Sequence, residues 1–134
     1  CQYCCISAKL EADILDLETE EEKISFLKEF GLEESGLNQI VRMTYNLLGM
    51  ITFFTIGPKE ARAWPIKNGI TADKAAGVIH TDFEKGFIKA ETIGYNDYIK
   101  YNGETGCREN GKIRFEGRDY IVHDGDVIHF RFSN

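Results

Sequence analysis

His80 and Asp82 stand two residues apart, and His123-Asp124 and His129 follow later in the chain. Imidazole and carboxylate groups at such spacings can hold a metal ion or pass a proton. A metal-dependent hydrolase built on His80, Asp82 and His129 is therefore one reading. The other is structural: after a helix, Thr81 and Asp82 bond to backbone amides while His80 satisfies a neighbouring carbonyl. The structural reading is preferred, because no nucleophile in a cleft accompanies these groups.

Two other chemistries find little support. Cys1, Cys4 and Cys5 cluster and Cys107 stands alone, so Cys1-x-x-Cys4 has no second pair to complete a zinc site. We expect no metal, but reduced thiols, with Cys4 or Cys5 packed in a strand. No Gly-x-x-x-x-Gly-Lys-Ser/Thr, Asp-x-x-Gly or Asn-Lys-x-Asp motif is present. Without those parts nothing cradles a triphosphate, and phosphoryl transfer is mostly positioning and charge stabilisation. No catalytic residue is assigned.

Binding chemistry is better represented. Trp64 lies between Arg62 and Lys67; an exposed indole can stack on a base and the cations can hold phosphate. The competing reading packs Trp64 under a sheet and leaves the cations solvated. Lys89 and Arg131 are further candidate contacts. The charge sets a limit: the net −6 comes from the first 49 residues, with four Lys/Arg against ten Asp/Glu, and the rest carries twelve of each. A domain gripping nucleic acid through phosphates alone usually has a surplus of base. DNA and membranes are not expected partners, since no apolar run approaches the roughly 20 residues that cross a bilayer.

The elements that position these residues can be read from periodicity. Residues 2–7 suit a strand. Leu10, Ile14 and Leu17 share a helical face, and Thr19 with Glu22 forms a capping box for a helix to Phe30 that buries Ile24, Leu27 and Phe30. Ser35 caps a third helix, striped by Leu37, Ile40, Val41, Thr44, Leu47 and Leu48 and ended by Gly49. From residue 50 the texture is strand-like: 51–56 and 61–66 as a hairpin, with Pro65 suiting an edge. Thr71 then caps a helix over 72–79, followed by a polar hinge. Strand 87–93, short helices near 96–101 and 103–111, and strands 113–115, 120–122 and 127–132 complete the chain. The fold class is α+β, with about five strands around one main helix.

Several segments carry a family resemblance: Gly31-Leu32-Glu33-Glu34-Ser35-Gly36-Leu37, Leu47 to Thr55, Arg62-Ala63-Trp64, Gly77-Val78-Ile79-His80-Thr81-Asp82-Phe83, and Asp124 to Phe132. Together they resemble the TGS domain of the YchF family, Obg-related ribosome-associated P-loop ATPases, over essentially the whole chain. One departure is Pro65, where the family pattern Arg-Ala-Trp-Thr has threonine. Ile6-Ser7-Ala8-Lys9 looks like the last guanine-specificity motif of a Ras-like domain.

The resemblance implies a β-grasp TGS domain over 49–134, preceded by a remnant of the P-loop domain over 1–48. Ser7, Ala8 and Lys9 are then remnants of a nucleotide site. His80, Thr81, Asp82 and Gly86 form a structural hinge, and Arg62, Trp64, Lys67, Lys89 and Arg131 are candidate contacts to RNA or a partner. The implied parent binds ATP or GTP with Mg, is cytoplasmic, and engages the ribosome or its RNA during translation or stress. This piece binds no cofactor and does no chemistry of its own. Leu10, Ile14 and Leu17 are expected to have packed on the missing domain. The alternative is a small stand-alone regulator that binds a nucleotide or alarmone through its β-grasp sheet.

Overall fold

The computed structural model describes residues 3–133 and divides the chain into two compact units, Cys1–Leu48 and Gly49–Asn134. Each is considered by itself.

The first unit is helical: α1 (Ala8–Leu15), α2 (Glu20–Glu29) and α3 (Gly36–Leu47). Local signals start and stop these helices. Ser7 Oγ accepts from the Leu10 amide at 3.4 Å. Thr19 and Glu22 make the reciprocal capping box, at 3.2 and 3.0 Å. Those bonds, the Thr19 backbone amide foremost, hold the Glu22 carboxyl below its ordinary value. Gly31 and Gly49 take φ of +69° and +62°, the left-handed conformation that ends a helix at little steric cost. The start of α3 is capped twice: Ser35 Oγ accepts from Asn38, and the Glu11 carboxylate accepts from the Gly36 and Leu37 amides at 2.7 and 3.3 Å.

Burial in this unit departs from the periodic reading. Ile14 is buried and Leu10 and Leu17 are half-buried, so the α1 face is not the exposed one. Ile24 and Phe30 are exposed instead of buried, as are Leu37, Ile40, Val41, Leu47 and Leu48 along α3. A stripe shows which helix face is apolar but not whether anything covers it. The strand expected over 2–7 is not formed by residues 3–7, and Gln2 lies outside the described residues. A strand's hydrogen bonds belong to a neighbouring strand, and the elements of this unit are helices. Cys4 is accordingly half-buried, with its thiol 3.4 Å from Gln39 Oε1, and Cys5 is exposed. Cys1, and with it the pairing to Cys4, lies outside the described residues.

The second unit contains β1 (Met50–Ile56), β2 (Ala61–Lys67), α4 (Ala72–Ile79), α5 (Thr81–Lys85), β3 (Phe87–Gly94), α6 (Tyr95–Lys100), α7 (Glu104–Glu109), β4 (Arg114–Glu116) and β5 (Asp126–Phe132). The sheet order is β2-β1-β5-β3-β4, mixed because β1 and β5 run parallel. Alternation sends one set of side chains to α4: Phe53, Ile66, Phe87, Ala90, Ile128 and Phe130 pack with Ala72, Ala75 and Ala76. The opposite face buries Ile93, Val127 and Cys107 under Tyr98, Tyr101 and Ile113.

β2 is an edge strand, as Pro65 suggested. Ladder bonds at the hairpin ends, Gly57 N–H to Glu60 and Asn68 N–H to Gly49, turn the backbone groups of Arg62, Trp64 and Ile66 toward β1. Pro65 therefore falls at an outward position, where a missing N–H breaks no bond and blunts the edge.

Residues 120–122 are not a strand of the sheet. Their backbone bonds go to the entry of α4: Ala72 N–H to the Tyr120 carbonyl at 2.8 Å and Val122 N–H to the Ile70 carbonyl at 3.1 Å, with one bridge between Thr71 and Ile121. The polar hinge after α4 is also not a simple turn, because Thr81–Lys85 makes a helical turn of its own.

Candidate docking surface

Arg62 and Trp64 share the α4 face of β2 with buried Ile66. The Trp64 ring lies nearly parallel to Phe53, with centroids 6.4 Å apart. Its Nε1–H donates to Thr55 Oγ1 at 2.9 Å. The Arg62 guanidinium sits 4.2 Å above the indole centroid, a geometry the ring quadrupole favours. Trp64 is thus a half-buried platform rather than a free stacking plane, and Arg62 presents the outward plane. Beside them a groove of about 410 Å³ is lined by Ile79, Phe83, Phe130 and Phe132, with Glu60 at its rim. Phe83 and Phe132 stack at 3.8 Å to form one wall.

Lys89 and Arg131 are cross-strand partners on β3 and β5, on the face opposite Arg62. Both converge on Glu91: Arg131 Nε donates to Oε1 at 2.9 Å, and Lys89 Nζ lies 3.7 Å away and 4.4 Å above the Phe115 ring. The Arg131 bond, aided by the charges of Arg131 and Lys89 and opposed by burial, holds the Glu91 carboxyl below its ordinary value. Lys67 is exposed at the far end of the sheet, paired in register with Met50. The five expected contacts therefore do not form one surface: only Arg62 and Trp64 are together, while Lys89 and Arg131 form a separate pair that shares the single carboxylate of Glu91.

The Glu91 cluster carries a pH signature. A depressed folded value stabilises the fold above the unfolded value near 4.5 and is lost as pH falls through the folded value. Glu91→Gln should destabilise by about 1 kcal/mol at neutral pH, because Arg131 and Lys89 are half-exposed. Urea denaturation as a function of pH should show that difference vanishing below the Glu91 titration. A constant difference across the acid range would count against it.

Among the described residues the Thr81 and Asp82 side chains make no hydrogen bond to a backbone amide, unlike the expected hinge, and the Asp82 carboxylate lies 3.4 Å from His80 Nδ1. His80 Nδ1 accepts from the Asp82 amide at 3.2 Å, capping α5, instead of donating to a carbonyl. Its ring packs 5.8 Å from Phe83, on the α4 side, whereas His129 lies with Glu91 on the opposite face. His80, Asp82 and His129 are therefore not brought together. Gly86 is required by contact, since a Cβ there would lie 2.2 Å from the Ser133 carbonyl oxygen. Ser7, Ala8 and Lys9 are exposed, and Ser7 serves the α1 cap.

Sequence reasoning missed the two carboxylate hubs, Glu91 and Asp126. Asp126 is 3% exposed and accepts from the Tyr120 hydroxyl at 2.7 Å, the His123 amide at 3.0 Å and Arg114 Nη2 at 3.2 Å. Its one local signal was the Asp124-Gly125-Asp126 turn. It missed the aromatic groove as well, which needs β5, α5 and β2 to meet.

Comparisons with known proteins place this arrangement. The YchF-GTPase_C family, described as a protein of unknown function (DUF933), matches residues 50–133. A protein of Haemophilus ducreyi named "Ribosome-binding ATPase YchF" is 58% identical over 128 residues, covering 96% of this chain and 35% of that protein. Its Bacillus subtilis namesake is 52% identical over the same shares. The solved structure of the Schizosaccharomyces pombe YchF GTPase superposes with a TM-score of 0.78 at 40% identity, covering 94% of this chain and 33% of that one. The chain spans about a third of the length of these relatives. It belongs to the YchF-GTPase_C family.

Proposed function

We propose that this chain is the ribosome-docking module of a YchF-type ATPase acting in translation and stress in the cytoplasm. The observation that carries the reading is 58% identity, across 96% of the chain, to a protein named for ribosome binding. The mixed five-stranded sheet wrapped on α4 supports a β-grasp TGS domain over 49–134. The helices of 1–48 then belong to the end of a P-loop domain. Among the described residues no helix is long and apolar enough to cross a membrane.

The module binds and does no chemistry. ATP or GTP with Mg supplies phosphoryl transfer in the parent, but the residues present here do not fit a triphosphate. The Ser7 hydroxyl is taken by the α1 cap, and the sequence contains no phosphate-cradling glycine loop. The role left to this chain is to present a preorganised surface. Arg62 is fixed over Trp64 before any partner arrives, so little side-chain entropy is lost on contact.

Ribosome co-sedimentation of the chain across a salt series tests the reading. Pelleting should weaken steeply with salt, and an Arg62→Ala/Lys67→Ala variant should need about tenfold more ribosomes for half-saturation. Absence of pelleting at low salt would overturn docking by this chain.

A further inference from the structure

We propose that the turn leaving β2, Asn68-Gly69, is a site of self-modification, in which the Gly69 backbone nitrogen attacks the Asn68 side-chain amide and the asparagine converts to aspartate and isoaspartate. The inference goes beyond the docking reading and does not depend on it.

The chain contains three Asn-Gly pairs: Asn68-Gly69, Asn102-Gly103 and Asn110-Gly111. Glycine is the favourable neighbour for this reaction, because without a Cβ its nitrogen can approach the preceding side chain closely. All three asparagines are exposed, so access to solvent does not separate them. Hydrogen bonding does. The Gly103 N–H donates to the Tyr98 carbonyl at 2.8 Å, and the Gly111 N–H donates to the Arg108 carbonyl at 3.2 Å. Asn110 is held twice, since its side-chain amide also donates to the Gly106 carbonyl at 2.8 Å. The Gly69 N–H and the Asn68 side chain have no hydrogen-bond partner among the described residues. Gly69 is exposed at φ +87°, and a Cβ placed on it would meet nothing within 4 Å. Nucleophile and electrophile are both free at this turn, and the space around them is open.

The reaction needs only water. The Gly69 nitrogen loses its proton and bonds to Cγ of Asn68. The bond from Cγ to the side-chain nitrogen breaks, and that nitrogen leaves as ammonia, carrying the proton lost by Gly69. One water then opens the cyclic imide at either carbonyl, giving aspartate or isoaspartate, with no change of oxidation state. Isoaspartate routes the main chain through the side chain and lengthens it by a carbon. That extra carbon falls directly after the 2.8 Å bond from the Asn68 N–H to the Gly49 carbonyl, which closes the β1–β2 ladder. Either product also sets a new carboxylate beside exposed Lys67.

The folded chain is incubated in mildly alkaline buffer beside a sample unfolded in guanidinium chloride, and both are followed by peptide mapping with mass detection. Isoaspartate is counted by isoaspartyl methyltransferase, which transfers a labelled methyl group from S-adenosylmethionine. In the folded chain Asn68 should convert roughly tenfold faster than Asn102 or Asn110, whose reaction must first break one or two hydrogen bonds. In denaturant the three should convert at comparable rates. Asn68→Gln, which would need a larger ring, should remove most of the early methyl label from the folded chain. The proposal is overturned by conversion of Asn102 or Asn110 as fast as Asn68 in the folded chain, by no conversion at Asn68, or by an undiminished label in Asn68→Gln. A lead for Asn68 that persists unchanged in denaturant would also overturn it, by assigning the rate to local sequence and not to the fold.

Discussion

Replacing Phe53 by alanine is expected to cost the sheet unit about 3–5 kcal/mol and to lower its melting midpoint by on the order of 20 °C. Phe53 is fully buried at the middle of β1. Its ring meets Phe130 edge-on at 5.9 Å and lies parallel to Trp64 at 6.4 Å. Truncation removes the transfer free energy of the ring and leaves a cavity that two strands of fixed register cannot close. Urea denaturation followed by Trp64 emission measures the loss. Ile24→Ala, on an α2 that buries no residue, should stay within about 0.5 kcal/mol. A Phe53→Ala cost below about 1 kcal/mol would mean the site relaxes freely, contrary to close-packed interiors. The same variant should loosen the platform under Arg62, so docking should weaken even in the fraction that remains folded.

Asp126→Ala is expected to cost about 3 kcal/mol, the lower end for a broken buried pair because Arg114 remains half-exposed. The substitution removes at once the carboxylate that accepts from the Tyr120 hydroxyl, the His123 amide and the Arg114 guanidinium; the hydroxyl keeps only Arg114 and the His123 ring, and Arg114 keeps Glu116 at 3.6 Å. These bonds pin residues 120–123 near the start of α4, where the Tyr120 carbonyl receives the Ala72 amide. The pH dependence identifies the cause. Burial first, then the Asp126 carboxylate, pushes Tyr120 from 10.0 up to about 12, while Arg114 pulls the other way. A raised folded value stabilises the fold fully below pH 10, and that stability is lost as pH rises to about 12. Tyrosinate absorbance should therefore show one late-ionising tyrosine in the parent, shifted earlier in Asp126→Ala. An unchanged late ionisation would assign the shift to burial alone.

Misreadings of the sequence fell where the decisive partner was distant or atypical. The Tyr-Ile-Val run at 120–122 alternates like a strand, but its hydrogen bonds go to residues 70–72, some fifty positions earlier. α5 reads as a polar turn because its cap is a histidine nitrogen, outside the usual serine, threonine, aspartate and asparagine set. Residues 3–7 have strand composition but, among the described residues, no strand in their unit to pair with.

The sequence by itself determined what is local. Thr19, Ser35, Gly31 and Gly49 set helix ends through bonds and dihedrals spanning three or four residues. Ile128 and Phe130 alternate with His129 and Arg131 along β5, and the apolar pair packs in the core. Extended likeness at Leu47 to Thr55 and Asp124 to Phe132 pointed to the family. Only the tertiary structure decided which cations are free and which apolar faces are covered. Arg131 is neutralised because antiparallel register places Glu91 beside it from forty residues away, whereas Arg62 meets an indole instead of an acid. Charge pairing and burial are set by whatever the fold brings within a few ångströms, and spacing along one segment does not encode that neighbour.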